Sequence, residues 1–360
     1  MTPREAIDAA VAAIRPPDVP ARDAARDLQS RLTKPTGSLG RLEELAIWAA
    51  GVCRAPVPAI ERSVIVVAAA DHGVAEDGVS AYPQDVTWQM VANFLAGGAA
   101  VNALARHAGA DVRVVDAGVR RDHDDARLHV VKVRRGTDNM TVGPAMSRAE
   151  AETLIASGIE FARDLCAPGG VAVALGDMGI GNTTAAAAIT SVCAAAQPRI
   201  TTGRGTGVDD AAYAAKLRAV ERAIAINQPD PSDPIDVLAK VGGFEIAFLA
   251  GVTIGAAASG APVVLDGYPT TAAALIAAAI APASVDYMLA SHQSAEPGHR
   301  VALEHLGLRP LLDLQMRLGE GSGAALALTL LAAALRIPRE MATFDSAGVA
   351  RSDAETPPEA

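Results

Sequence analysis

The sequence predicts an α/β fold: a mostly parallel sheet flanked by helices, with a smaller helical lobe drawn from the N- and C-terminal segments. Three observations carry that expectation. Short, continuous apolar runs that end in Gly and charged residues read as strands buried on both faces. Longer stretches with helical periodicity lie between them, the alternation that builds a parallel sheet. The two ends of the chain are also helical in pattern but stand outside the alternation.

Residues 1–60 read as helical and mostly amphipathic, with Ser38 of Thr36-Gly37-Ser38 as the expected cap of LGRLEELAIWAA. SVIVVAAADHGV, Ser63 to Val74, is a first strand, and residues 85–108 follow as helix. ADVRVVDAGV (Ala110 to Val119) and LHVVKVRRGTDNM (Leu128 to Met140) are the second and third strands. MSRAEAETLIASGIEFARDL is an amphipathic helix in which Ser147 and Glu150 form a capping box. GGVAVALGDMG (Gly169 to Gly179) is a fourth strand running into a Gly turn, and NTTAAAAITSVCAA continues as helix. Helices near 210–226 and 232–258, the strand APVVLDG, and helices near 270–281, 300–316 and 322–336 complete the pattern. The expected division is 1–60 for the helical part of the small lobe, 61–290 for the parallel core, 291–345 for C-terminal helical segments, and 346–360 for a polar, Pro-rich tail without stable structure.

Half of the 360 residues are hydrophobic but only 3% are aromatic, so the core must be built from Ala, Val, Leu and Ile. The net charge of −10 argues against a duplex nucleic-acid partner, although local Gly loops and one Lys suffice for a small phosphate ester. Cys53, Cys166 and Cys193 are far apart with no CxxC pair; they read as small buried residues in a reducing cytoplasm, not as a disulfide framework or zinc site. Arg4, Glu5 and Asp8 stand where a signal peptide needs an apolar segment. Ile246 to Leu265 is uncharged and long enough to span a bilayer. It is dominated by Ala and Gly, contains Pro262 and lacks basic or aromatic flanks, so a buried helix, a turn and the strand Pro262–Leu265 are expected instead.

In open parallel sheets, ligands bind beyond the carboxyl ends of the strands. Four polar-Gly turns fall at such ends: DHG, DAG, GDMGIGNTT and DGYPTT. In GDMGIGNTTAA, Gly176 to Ala186, glycines between a strand and a helix let backbone N–H groups approach an anion, and Asn182, Thr183 and Thr184 add donors. The segment has neither the GK[ST] of a P-loop nor the glycine spacing of the dinucleotide fingerprint. Its alternative reading is a tight strand-to-helix turn with Thr caps. TTGRGTGVDD, Thr201 to Asp210, suits a loop around a phosphate, with Lys216 following on the next helix; the alternative is a surface connection. In RLGEGSGAALAL, Arg317 to Leu328, glycines on both sides let the Glu320 carboxylate face a cavity, where partial burial would raise its pKa toward that of a general base. The alternative is a helix-start carboxylate that complements the dipole.

DHGVAEDGVSAYPQDVTWQM, Asp71 to Met90, offers Ser80, Tyr82 and Gln84 to hold a flat heterocycle, while His72 reads as a structural hydrogen bonder. SHQSAEPGHRVALEHLGL, Ser291 to Leu308, carries His292, His299, His305, Glu296 and Glu304 at spacings that make no compact metal set. It reads as a polar loop near the cleft mouth, with Ser291 placed to touch a phosphate.

Together KPTGSLGRLEELA, AADHGV, YPQDVT, VVDAGV, GDMGIGNTT, TGRGTGVDD, VGGFEIAFLAG, DGYPTTAAALIA, SHQSAEPGH and GEGSGAALAL closely resemble the nicotinate-nucleotide–dimethylbenzimidazole phosphoribosyltransferase family of the lower-ligand branch of cobalamin synthesis. They run in order from about residue 34 to 335. The resemblance implies a Rossmann-like sheet, a small lobe from both termini, a cytoplasmic homodimer, and Glu320 as general base. It implies small-molecule substrates, nicotinate mononucleotide and a benzimidazole-type base, with no nucleic acid, no membrane, and neither metal nor other cofactor. Gly176, Asp177, Gly179, Gly181, Asn182, Thr183, Gly205, Thr206, Gly207, Lys216 and Ser291 would then hold phosphate and ribose, and Ser80, Tyr82, Gln84 and Met178 the base. Asp177 stands where the family's best-known members carry Glu.

The implied chemistry suits these residues. The pyridinium of nicotinate mononucleotide leaves as a neutral ring and needs no general acid. The incoming benzimidazole attacks the ribose C1 carbon through one nitrogen and must lose the proton on the other, for which one carboxylate suffices. Attack from the opposite face gives inversion. A non-catalytic nucleotide-binding protein on the same fold is disfavoured by Glu320 in GEGSG, and a nucleotide-dependent oxidoreductase by the missing dinucleotide fingerprint. The accepted base, whether dimethylbenzimidazole, adenine or a phenolic analogue, depends on pocket shape.

Overall fold

Apolar runs rich in Val and Ala become the strands. In the computed structural model, which describes residues 1–350 apart from Pro168 and Thr206, these are β1 (Arg62–Ala70), β2 (Asp111–Gly118), β3 (His129–Val130), β4 (Val171–Met178), β5 (Val263–Leu265) and β6 (Met288–Ala290). They form one sheet in the order β3-β2-β1-β4-β5-β6, with all pairings parallel. β1 and β4 are central; every residue from Val64 to Ala70 is buried, as strands covered by helices on both faces require. Val64 pairs with Val173 and Ala68 with Asp177, so the ends of β1 and β4 lie side by side. The chain steps outward from β1 to β2 and β3, then returns to the other side of β1 with β4. That reversal is the switch point at which a Rossmann-like sheet opens a crevice.

The Ala- and Gly-rich composition shows its purpose in the helices. Phe244–Ala258 is buried almost throughout and packs on Arg148–Cys166. A Cβ on Gly251 would fall 2.8 Å from the Ile155 carbonyl carbon, and one on Gly158 would fall 2.8 Å from the Val252 nitrogen. The two backbones therefore touch without intervening side chains. Ser147 and Glu150 form the expected capping box, the Ser147 N–H reaching Glu150 Oε2 at 2.7 Å. The uncharged segment from Ile246 to Leu265 is a buried helix, a turn at Gly260 (φ 74°) and β5, as expected. Ser322–Glu340 is long and apolar enough to cross a membrane by length and composition, yet half of it is buried inside the protein.

Several elements differ from expectation. The third strand stops at Val130, because the basic residues that follow leave the ladder to make ion pairs: Lys132 with Asp116 and Asp122, Arg134 with Glu150 and Asp138. Gly136, at φ 81°, then turns the chain. The helix expected over 232–258 breaks at Gly242-Gly243 into Pro234–Val241 and Phe244–Ala258. The helix expected over 300–316 is Pro297–Leu306, ended by left-handed Gly307. β6 has no counterpart in the sequence pattern. Gly40 (φ 52°), not Ser38, caps Arg41–Val52, and Glu43 turns back to accept from the Gly37 and Leu39 N–H groups while pairing with Lys34 at 2.7 Å.

The chain divides into two units, residues 1–15 with 61–328 and residues 16–60 with those from 329 on. The larger unit holds the sheet. Pro3–Ala13 belongs to it and not with the other N-terminal helices, because buried Ile7 and Ala10 face Arg148–Cys166 and Phe244–Ala258. Residues 291–328 also belong to it, since they continue from β6 at the sheet edge. In the smaller unit Val19–Arg31 packs on Arg41–Val52, and Leu32 bridges to Thr343, so it is assembled from both ends of the chain. Residues 346 and 347 end the short helix Phe344–Ala347, and 351–360 lie outside the described residues. Each unit carries one tryptophan: Trp48 in the smaller, and in the larger Trp88, which stacks on His123 with ring centroids 4.9 Å apart while Arg121 sits 4.1 Å from its ring centre.

Candidate active site

The turns that follow the strands converge, within the larger unit, on a cleft. From the end of β4 come Asp177 and Met178, and from the turn and helix start after it Gly179, Ile180, Gly181, Asn182 and Thr183; from the segment after β1 come Val79 and Ser80. The chain after β5 contributes Gly267, Tyr268 and Pro269, and the chain after β6 contributes His292, Ser294 and Glu296. Gly205, Lys216 and the run Arg317-Leu318-Gly319 complete the wall.

One side is built for an anion. Gly181 (φ 98°) caps the helix Asn182–Cys193, so the positive end of that helix opens on the cleft. The Lys216 ammonium, buried with its side chain, donates to Thr183 Oγ1 at 2.7 Å. Burial lowers the lysine to about 8, with Glu296 opposing the shift. Gly205 has φ 53°, and a Cβ there would lie 3.1 Å from both Lys216 Nζ and Thr183 Oγ1. Its N–H donates to Glu296 Oε1 at 2.7 Å, which pins the glycine loop to the segment after β6. That segment is held in turn by His299. The Ser294 N–H donates to His299 Nδ1 at 3.0 Å, so Nε2 carries the hydrogen and donates to Thr271 Oγ1, which donates to the Gly267 carbonyl. Burial drives His299 to about 3 and keeps the ring neutral in this role.

The other side is acidic. Glu320 lies between Gly319 (φ 84°) and Gly321 (φ 90°) and itself takes φ 65°, three left-handed residues in a row. A Cβ on Gly176 would lie 2.5 Å from the Glu320 carbonyl oxygen, so Gly176 is bare in order to let this loop settle on the end of β4. Glu320 is buried, and its Oε2 has no hydrogen-bond partner. Burial, and then the Asp266 charge, raise its carboxyl to about 7. Asp177 accepts from Asn182 Nδ2 at 2.9 Å and leaves Oδ1 unpartnered. Burial, followed by the charges of Asp266 and Glu245, holds it well above the carboxylate range. Beneath the Gly179–Gly181 turn, His72 Nε2 meets Glu245 Oε1 at 2.7 Å, the structural role expected for that histidine.

Of the residues singled out in the sequence, Ser80, Asp177, Met178, Gly179, Gly181, Asn182, Thr183, Gly205 and Lys216 line the cleft. Glu320 directly follows its lining residue Gly319. Thr206 lies outside the described residues, and Gly207 does not line the cleft. Ser291 is fully buried and donates to the Asp266 carbonyl, so the cleft is reached by His292 and Ser294 instead. Tyr82 is 52% exposed and Gln84 is occupied with the His72 carbonyl; neither lines the cleft, because the chain bends at Ala81–Tyr82, after Ser80, and enters the helix Asp85–Ala96. Among residues given no role from sequence, Tyr268, Glu296 and Arg317 line it, and Asp266 anchors it. The DGYPTT turn stands out in the sequence, but a buried carboxylate's partners across 55 residues carry no local signature. Cys53 and Cys193 are only part-buried, whereas Cys166 is buried; all three are free thiols raised to about 11 by burial.

Comparison with known proteins agrees with this geometry. A family model described as Phosphoribosyltransferase matches residues 14–349. The nicotinate-nucleotide–dimethylbenzimidazole phosphoribosyltransferase of Desulforudis audaxviator is 54% identical over 94% of this chain and 96% of its own length. The protein of the same name from Geobacter sulfurreducens is 53% identical over 90% of this chain and 94% of its own. The crystal structure of that enzyme from Thermus thermophilus superposes with a TM-score of 0.88 at 48% identity, covering 93% of this chain and all of that one. With strand order, cleft and full-length similarity in agreement, the chain belongs to the nicotinate-nucleotide–dimethylbenzimidazole phosphoribosyltransferase family.

Proposed function

We propose that this enzyme moves the 5-phosphoribosyl group of nicotinate mononucleotide to 5,6-dimethylbenzimidazole or a related base, with inversion at the ribose C1 carbon. The products are α-ribazole 5′-phosphate and nicotinate, for cobalamin synthesis. The observation that supports this best is the placing of Glu320: a buried carboxyl near 7 with an unpartnered oxygen, on a loop seated against Gly176 at the end of β4. In this reading the 5′-phosphate sits at the N-terminus of Asn182–Cys193, held by the Gly179–Gly181 backbone, Thr183 and Lys216. The acceptor base lies between Ser80 and Met178 and presents its N–H to Glu320. As the other ring nitrogen bonds to C1 and the nicotinate nitrogen departs with the bonding pair, Glu320 takes the N–H proton. Alignment of the two substrates supplies the larger share of the acceleration. Assembly as a cytoplasmic homodimer follows from the family resemblance.

Incubating the protein with nicotinate mononucleotide and dimethylbenzimidazole should yield the riboside phosphate and nicotinate in equal amounts by mass spectrometry. Absence of both products refutes the reading. Replacing Lys216 by Met should raise KM for nicotinate mononucleotide by about 10- to 100-fold at pH 7, the range for losing a charged hydrogen bond. Because the lysine is lowered to about 8, KM of the unaltered enzyme should also climb as pH rises past that point. An unchanged KM in Lys216→Met places the phosphate elsewhere.

A further inference from the structure

The loop that carries Glu320 is costly to hold. Left-handed backbone is easy for Gly319 and Gly321 but not for a glutamate, so something must over-determine the conformation. The first turn of Ser322–Glu340 also presents N–H groups with no partner inside the helix. One side chain answers both needs. Asp266, immediately after β5, is fully buried; its Oδ2 accepts from the Gly321 N–H and its Oδ1 from the Ala324 N–H, both at 2.9 Å. Asp266 is itself fixed from three sides. Its N–H donates to Thr270 Oγ1 at 3.0 Å, its carbonyl accepts from Ser291 Oγ at 3.2 Å, and His292 Nδ1 stands 4.0 Å from Oδ1. Gly323 is bare because a Cβ there would collide with the His292 ring.

Resting on the reading of Glu320 as the base, we propose that Asp266 is its positioning residue: a buried clamp that holds Gly319-Glu320-Gly321 in its left-handed run and keeps a negative charge beside the base. A carboxylate does this where an amide cannot, since both of its oxygens accept while an Asn would turn an NH₂ donor against one of the two backbone donors. The charge also makes Glu320 a better proton acceptor. The groups around Glu320 are consistent with that. Asp177 faces it from the end of β4, Asp266 from the end of β5, and His292 lies next to Asp266; Arg317, earlier on the same loop, is engaged with the Gly205 carbonyl. Burial raises Asp266 as well, opposed by His292 and the backbone N–H groups at the helix start.

The test compares the pH profile of kcat for the unaltered enzyme, Asp266→Asn, Asp266→Glu and Glu320→Gln, with nicotinate mononucleotide and dimethylbenzimidazole. Asp266→Asn should lose at least about tenfold in kcat, and its acid limb should move to lower pH, since the neighbouring negative charge is gone. Asp266→Glu, which keeps the charge but displaces the clamp, should lose kcat with the limb left near its original pH. A merely structural aspartate would lower activity in both without moving the limb in either. In the unaltered protein the Gly321 and Ala324 amides should exchange at least about 100-fold more slowly than free peptide. Exchange at the free-peptide rate overturns the clamp even if Asp266→Asn does not fold. An acid limb that stays in place in a folded Asp266→Asn overturns the electrostatic part. If Glu320→Gln instead retains both the rate and the limb, the reading of Glu320 has failed, and the two failures are thereby told apart.

Discussion

Glu320→Gln should lower kcat by about 10²- to 10⁴-fold while leaving KM for nicotinate mononucleotide within about threefold, because a positioned base acts in the transition state and contributes little to ground-state binding. Gln preserves the size of the side chain and its place between two left-handed glycines. What it removes is the proton acceptor. The pH dependence fixes the sign. The base works deprotonated, and burial with the Asp266 charge raises Glu320 to about 7. The kcat of the unaltered enzyme should therefore rise with pH through that region, level off above it, and fall roughly tenfold for each unit of acidification below it. In Glu320→Gln this limb should vanish, leaving a low and flat rate. Retention of the limb at full height in the variant would assign the proton to another group, with Asp177 the next in line by position.

Gly251→Ala should be among the most damaging single-methyl changes in the scaffold. Its Cβ would meet the Ile155 backbone, with the carbonyl carbon at 2.8 Å and the carbonyl oxygen closer still. A flexible side chain could swing aside, but a helix backbone cannot, so Arg148–Cys166 and Phe244–Ala258 must separate along their crossing. Overpacking in cores typically costs about 1–3 kcal/mol, and a backbone collision belongs at or above the top of that range. Gly158, directly across the crossing, reports the same intimacy from the other helix, since its Cβ would strike the Phe248 carbonyl. A melting temperature roughly 5 °C or more below that of the unaltered protein is expected by calorimetry. A change within about 1 °C would mean that the helices part at little cost.

The central strands are legible because burial on both faces writes itself as unbroken apolar sequence, as in Val64–Ala70 and Val171–Leu175. The helix at Arg148 is legible because its cap is local, three residues from Ser147 to Glu150. β6 is three residues long and rests on pairing with β5, a partner that no local pattern names. The pattern carries the helix beginning at Pro297 through Gly307, because periodicity continues past a residue whose left-handed backbone ends it. The site divides in the same way. Its glycine loops and Glu320 stand out in sequence because glycine spacing is local. Asp266 and Glu296 do not, because each gains its meaning from a backbone N–H far along the chain, Gly321 for one and Gly205 for the other. Tyr82 and Gln84 fall with Ser80 only by nearness along the chain, and the bend at Ala81–Tyr82 separates them.

A core nearly without aromatic rings leaves the molecule optically quiet, and its two indoles fall one to each unit. Trp88 is stacked on an imidazole beneath a guanidinium, whereas Trp48 lies on a helix of the other unit. Replacing either by Phe leaves a single tryptophan, and excitation at the red edge, where the four tyrosines do not absorb, reads one unit alone. Intrinsic fluorescence can therefore follow the melting of each half separately, without any added dye.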